Sequence, residues 1–169
     1  MTPFRYARSQ VGVHWLAAAL IIFMLATGSL VLAEMPNTAA KIGNLRVHMI
    51  LGAMAGLLVL TRIVLRRRRP VPAPVAGERF GRIAHALLNV VVLLMVASGV
   101  GLALQSGAQD AVFFGGAFPA DFKVYTLRQV HGLLSRIAMG LIALHVLAAL
   151  YHQFVVKDGL LARMSLGRR

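Results

Sequence analysis

Four apolar runs, each long enough to cross a bilayer as a helix, constrain this chain more than any other feature. They lie at about residues 11–33, 47–65, 83–104 and 130–151, and crossing about 30 Å of hydrocarbon takes about 20 residues of helix. Backbone polar groups in hydrocarbon have to be satisfied within the segment, so runs of this length are expected to be helical. Composition agrees: 59% of the 169 residues are hydrophobic, against about 45–50% in soluble domains. The expected fold is all-α, a single membrane-embedded four-helix bundle over residues 1–169. The first run follows Arg5 and Arg8, as a signal peptide would. Its apolar stretch is too long for a signal h-region and "VLAEMP" is a weak cleavage cue, so it reads as a retained helix.

The formal charge of +13 could suggest nucleic acid, but the basic residues fall between apolar runs and do not interleave with aromatics on one polar face. Membrane topology accounts for them. Arg5 and Arg8, then Arg62, Arg66 to Arg69, Arg79 and Arg82, then Lys157, Arg163, Arg168 and Arg169 all belong to one side. The other side holds Lys41, Arg46, Lys123 and Arg128. By the positive-inside rule both termini are cytoplasmic. The segment "RRRRPVPAPVAGERF" reads as a stop-transfer cluster followed by a proline-stiffened turn. The longer connection "QSGAQDAVFFGGAFPADFKVYTL", rich in Phe and Gly, reads as a lid on the outer face.

There are no cysteines, which excludes disulfides, thiolate metal sites and cysteine-bound iron–sulfur clusters. A bound metal would rest on histidine, and there are six. Ionisable side chains at membrane depth are costly and default to a functional hypothesis. Sorted by depth, His48 and His131 open spans two and four at the outer face, while His14, His85, His145 and His152 gather toward the inner face. Along span four, fourteen residues separate His131 from His145, which places them about 40° apart around the helix and about 21 Å apart along it. One helix face thus offers ligands at two depths. Zinc would need further ligands at each level and the spans hold no carboxylates to supply them. Haem iron needs only two axial ligands, and bis-histidine ligation suits an electron carrier.

The same spacing recurs elsewhere. Fourteen residues past His48 comes Arg62, placed to pair with a haem propionate at the inner level. Fourteen past His14 comes Gly28, where a macrocycle could approach the backbone. Gly52 and Gly56 follow His48 on its own face; each alone suggests helix packing, and with Gly28 they suggest room at two levels.

These residues resemble the prokaryotic cytochrome b561 family of small di-haem membrane cytochromes. The likeness runs through "YARSQVGVHWLAAAL", "LRVHMILGAMAGLLVLTRIVLRRRRP", "HALLNVVVLLMVASGVGLAL" and "HVLAALYHQFVVKDGLLARM", essentially the whole chain. The resemblance implies two haems b, one held by His14 and His145 at the inner level and one by His48 and His131 at the outer. Depth alone left His145 and His152 as rivals for the inner haem; the family pattern selects His145. The chain resembles the free-standing members, some of which oxidise superoxide and reduce ubiquinone in the bacterial inner membrane. On that reading Arg46, Arg128, Lys41 and Lys123 give a positive potential that steers superoxide, and His85 and His152 stand on the quinone or propionate side as candidate proton carriers. The competing reading is a non-enzymatic cytochrome b subunit passing electrons between a periplasmic redox partner and the quinone pool. Expected partners are membrane lipid, quinone, and superoxide or such a protein. Arg136, inside span four, matches nothing in the resemblance and is read as a propionate partner or a snorkelling side chain.

Overall fold

The computed structural model describes residues 5–69 and 78–166. The proline-containing turn after Arg69, and Arg168 and Arg169, lie outside the described residues. Five α-helices follow in order: α1 (Arg8–Thr27), α2 (Lys41–Arg68), α3 (Glu78–Ser106), α4 (Ala108–Phe113) and α5 (Thr126–Tyr151). A π-turn extends α1 over Gly28–Leu32, a second extends α5 over His152–Val156, and a 3₁₀ turn covers Leu161–Met164. No strand occurs among the described residues.

Four of these helices are long and apolar enough to cross a membrane: Arg8–Leu32, Lys41–Arg68, Phe80–Ser106 and Thr126–Val156. Each exceeds the run read from sequence. The second gains a polar first turn and a half, Lys41 to Arg46, because helix continues past the apolar stretch into the polar boundary. Between 6% and 17% of the most apolar part of each span is buried. Leu16, Leu57, Leu94, Leu144 and many others point outward, the reverse of a soluble bundle and what a hydrocarbon solvent requires.

The spans pack as neighbours α1 with α2, α2 with α3, and α3 with α5. Gly56 makes the α2–α3 approach close, since a Cβ there would meet the Val96 side chain at 3.1 Å; a Cβ at Gly52 would touch Met24 at 3.5 Å. These two glycines are therefore packing contacts, the reading that each takes alone. Leu25, Val91 and Ala138 are the buried centre of the bundle, packed with Ile21, Met95, Leu134, Leu141 and Ile142. Ala138 sits midway between His131 and His145, so this apolar layer separates two histidine levels.

One end of the bundle carries the first turn of α1, the end of α2, the start of α3 and the end of α5. The other carries the two remaining connections, and there the expected lid is present as α4. Ala108, Ala111 and Val112 are buried. Asn37 Nδ2 donates to the Ala120 carbonyl, tying the lid connection to the α1–α2 turn. Phe118 and Phe122 meet edge to face at 5.7 Å.

Candidate functional site

Two pairs of imidazoles face each other across the bundle. At the lid end His48 of α2 meets His131 of α5, with ring centroids 6.2 Å apart and planes at 73°. At the termini end His14 of α1 meets His145 of α5, 6.4 Å apart, also at 73°. An imidazole nitrogen lies about 2.0–2.1 Å from a bound metal and about 1.1 Å from its ring centroid, so two imidazoles on opposite sides of one iron place their centroids about 6.3 Å apart. Both pairs have this separation. His85 of α3 approaches His145 to 5.2 Å, about 1 Å closer than opposed ligands of one iron stand, and so adjoins the inner pair as a third imidazole.

Local structure positions the outer pair tightly. His131 Nδ1 lies 3.1 Å from the Met95 carbonyl and 3.0 Å from Ser98 Oγ, while the Ser98 hydroxyl itself donates to Met95. Two acceptors at Nδ1 keep the proton there and leave the Nε2 lone pair for a ligand, the usual way a metal-bound histidine is oriented. A Cβ at Gly99 would meet His131 Cε1 at 3.3 Å, and one at Gly28 would meet His48 Cε1 at 3.2 Å. Gly28 thus makes room for an imidazole, where sequence suggested room for a macrocycle. Met95, Ser98 and Gly99 escaped the sequence reading; the "SG" step in an otherwise apolar span was their one visible sign.

A histidine kept for structure alone is expected to satisfy its ring nitrogens. His14 and His48 each bury Nδ1 with no hydrogen-bond partner, so helix-to-helix hydrogen bonding does not account for them. Among the described residues, no group of three or more His, Asp or Glu converges on a metal-sized point. The donor set therefore fits a metal that brings its own equatorial ligands, as haem iron does.

The other predicted residues divide between the two ends. Arg46 donates from Nε and Nη2 to the Val112 carbonyl, at 3.0 and 2.5 Å, clamping α4 to α2. Lys41 is buried, donates to the Met35 carbonyl and Asn37 Oδ1 at 3.0 Å each, and lies 5.8 Å above the Phe122 ring. Lys123 and Arg128 line a cavity of about 440 Å³ together with Gln129, Gly132 and Arg136. At the termini end, Arg62 Nη1 stands 3.5 Å from Asn89 Oδ1 and borders a cavity of about 320 Å³ with Ile63, Arg66, Arg67 and Asn89. Arg62 thus stands at the same end of the bundle as His14, His85 and His145.

His152 turns away from the inner pair. The π-turn and Lys157, whose φ of 57° is left-handed, reverse the chain so that Asp158 Oδ2 accepts from His152 Nδ1 at 2.6 Å. That bond, with the one from the Leu160 amide, holds the Asp158 carboxyl below the usual carboxylate range. The segment continues over the end of α1, where Trp15 Nε1 donates to the Met164 carbonyl at 2.9 Å. Asp158 was not foreseen, because only this reversal brings it to His152.

The chain's sequence matches the model of the prokaryotic cytochrome b561 family over residues 5–167. It is 32% identical to a protein of Yersinia pestis named probable superoxide oxidase CybB, over 98% of each chain. It is 28% identical to cytochrome b562 of Cereibacter sphaeroides, over 94% of each. It is also 23% identical to cytochrome b561 homolog 1 of Escherichia coli K12, covering 98% of this chain and 99% of that one. No solved structure matches. The chain belongs to the prokaryotic cytochrome b561 family, membrane electron-transfer proteins that bind haem b.

Proposed function

We propose that this protein binds two haems b and is a superoxide:ubiquinone oxidoreductase of the bacterial inner membrane, with both termini cytoplasmic. The observation that carries the di-haem reading is the pair of opposed imidazole sets, 6.2 and 6.4 Å apart, at opposite ends of one bundle. His48 and His131 would hold the outer haem, His14 and His145 the inner one. Haem iron supplies one-electron chemistry when bound. The overall reaction balances as two superoxide ions, one ubiquinone and two protons giving two dioxygen molecules and one ubiquinol.

The relative named as a probable superoxide oxidase supports the substrate. Arg46 and Lys41 are hydrogen-bonded to neutral acceptors, which fix their charges without neutralising them. With Arg128 and Lys123 they keep the lid end positive, and a potential of that sign attracts a small anion. At the termini end Arg62 would meet a propionate. His85 and His152 would hold protons for quinone, with Asp158 keeping the His152 ring oriented through Nδ1, so that Nε2 is the exchanging atom.

The test is to mix purified, haem-loaded protein with a superoxide source and oxidised ubiquinone. Rapid haem reduction and ubiquinol formation without any partner protein are expected. Haems that dithionite reduces and superoxide does not would overturn the enzyme reading. They would leave the relay between a periplasmic redox partner and quinone, which the two relatives named only as cytochromes favour.

A further inference from the structure

The cavity beside α5 holds Gln129 and Arg136, which the proposed function leaves unassigned, beside Lys123 and Arg128, which it uses only for their long-range potential. Its walls are Lys123, Arg128, Gln129, Gly132 and Arg136, around about 440 Å³. Taking His131 as the reference direction, Arg128, Gly132 and Arg136 lie about 60°, 100° and 140° around the helix. The cavity therefore lies to one side of the His131 direction and not on the line between the two imidazoles. Exposed Leu133 and Ile137 continue that side, in the part of α5 apolar enough to meet hydrocarbon.

Two guanidinium groups converge here. Arg136 is exposed, yet its Nε donates back one turn to the Gly132 carbonyl at 3.2 Å, which draws the charge toward the lid end. Arg128 lies over the same glycine, since a Cβ at Gly132 would meet its Nη1 at 3.1 Å. Gly132 is six residues into α5, about 9 Å along the helix, so the cavity lies toward the lid end of an apolar span. No carboxylate among the described residues stands within ion-pair distance of Lys123, Arg128 or Arg136. Asp121 is turned to the Lys123 backbone amide, so three cations gathered beside an apolar span attract an anion from outside the chain. The cavity is about fifteen times the volume of one water in the liquid, far larger than a diatomic anion needs.

We infer that this cavity binds the phosphate of an anionic phospholipid. The guanidinium groups of Arg128 and Arg136 offer paired N–H donors matched to phosphate oxygens, Lys123 adds a point charge, and the Gln129 amide is a further donor. The acyl chains lie along Leu133 and Ile137. A free phosphate ion would satisfy the same donors, but the cavity adjoins the exposed apolar side of α5, where the phosphate comes with its lipid. The inference does not rest on the superoxide reading.

The test is native mass spectrometry of the haem-loaded protein in neutral detergent after incubation with phosphatidylglycerol, with phosphatidylcholine, or with inorganic phosphate. Phosphatidylglycerol should be retained in preference to phosphatidylcholine. Arg136→Gln should lower that retention about fivefold, and Arg136→Lys should restore part of it. Unchanged haem bands and elution volume show that a variant is folded; if Arg136→Gln is not, Gln129→Glu, which places a negative charge in the rim, should give the same drop. Equal retention of the two lipids, or no effect of folded variants, overturns the site. Displacement of phosphatidylglycerol by millimolar inorganic phosphate overturns the lipid as its source.

Discussion

The two ends of the bundle hold the same pair of imidazoles in different ways. At the lid end His131 is locked by Met95 and Ser98, Gly28 and Gly99 leave space that only the two rings fill, and α4 is clamped over the level by Arg46. At the termini end His14 and His145 have no such lock among the described residues. They share their level with a third imidazole, a guanidinium and a reversed C-terminal segment whose His152–Asp158 pair is open to solvent. A lid-end level held by several contacts suits one fixed electron-transfer geometry, whereas a termini-end level rich in titratable groups suits chemistry in which protons move. Ala138 and its apolar neighbours keep the two environments apart.

The largest expected effect separates the levels outright. His48→Ala should halve the haem content, measured as pyridine haemochrome per protein, because a single remaining imidazole does not complete a bis-histidine site. His14→Ala should remove the other half, and His152→Ala neither; an unchanged haem content in His48→Ala would refute the outer pairing. A smaller effect tests the lock. Ser98→Ala removes one partner of His131 Nδ1, and loss of such an outer partner typically weakens a metal site by about 10–100-fold. Faster haem transfer to an apo-globin acceptor from the outer level alone is expected. If both levels lose haem equally fast, the lid end is not the more firmly held one.

Next comes the clamp. Arg46→Gln strips two donors from the Val112 carbonyl, a change worth about 1–3 kcal/mol. Hydrogen exchange should accelerate over residues 108–113 with little change elsewhere, and superoxide oxidation should slow and lose salt dependence. The smallest effect concerns Asp158. An ordinary Asp titrates near pH 3.9, and Asp158 lies lower because His152 donates to it. The pair's contribution is thus complete above about pH 4 and is lost as pH falls through the lower folded value. Exchange of the Leu160 amide, which donates to Asp158 Oδ1, should accelerate over that acidic range, and Asp158→Asn should remove the dependence. As an exposed pair it contributes little to global stability.

Much of this was legible before any coordinates. Span length follows from bilayer thickness, and helix follows from the need to satisfy backbone polar groups in hydrocarbon, so four helices could be read from four runs. The fourteen-residue spacing of His131 and His145 placed two imidazoles on one rail because helix geometry is periodic. The lock around His131 was not legible, since Met95, Ser98 and Gly99 lie more than thirty residues away and become neighbours only when α3 packs on α5. Arg46 and Lys41 looked like free charges near a site; their bonds to Val112, Met35 and Asn37 depend on how the connections fold back.

The sequence by itself determined the helices, the absence of thiolate chemistry and the two histidine levels, because each depends on local periodicity or on composition. Only the tertiary structure decided which imidazoles face one another, that His152 belongs with Asp158, and that Arg46 clamps α4 to α2. Those are contacts between elements, or across a left-handed reversal at Lys157. Their distances are fixed by how helices pack and turns close, a property that no stretch of residues carries alone.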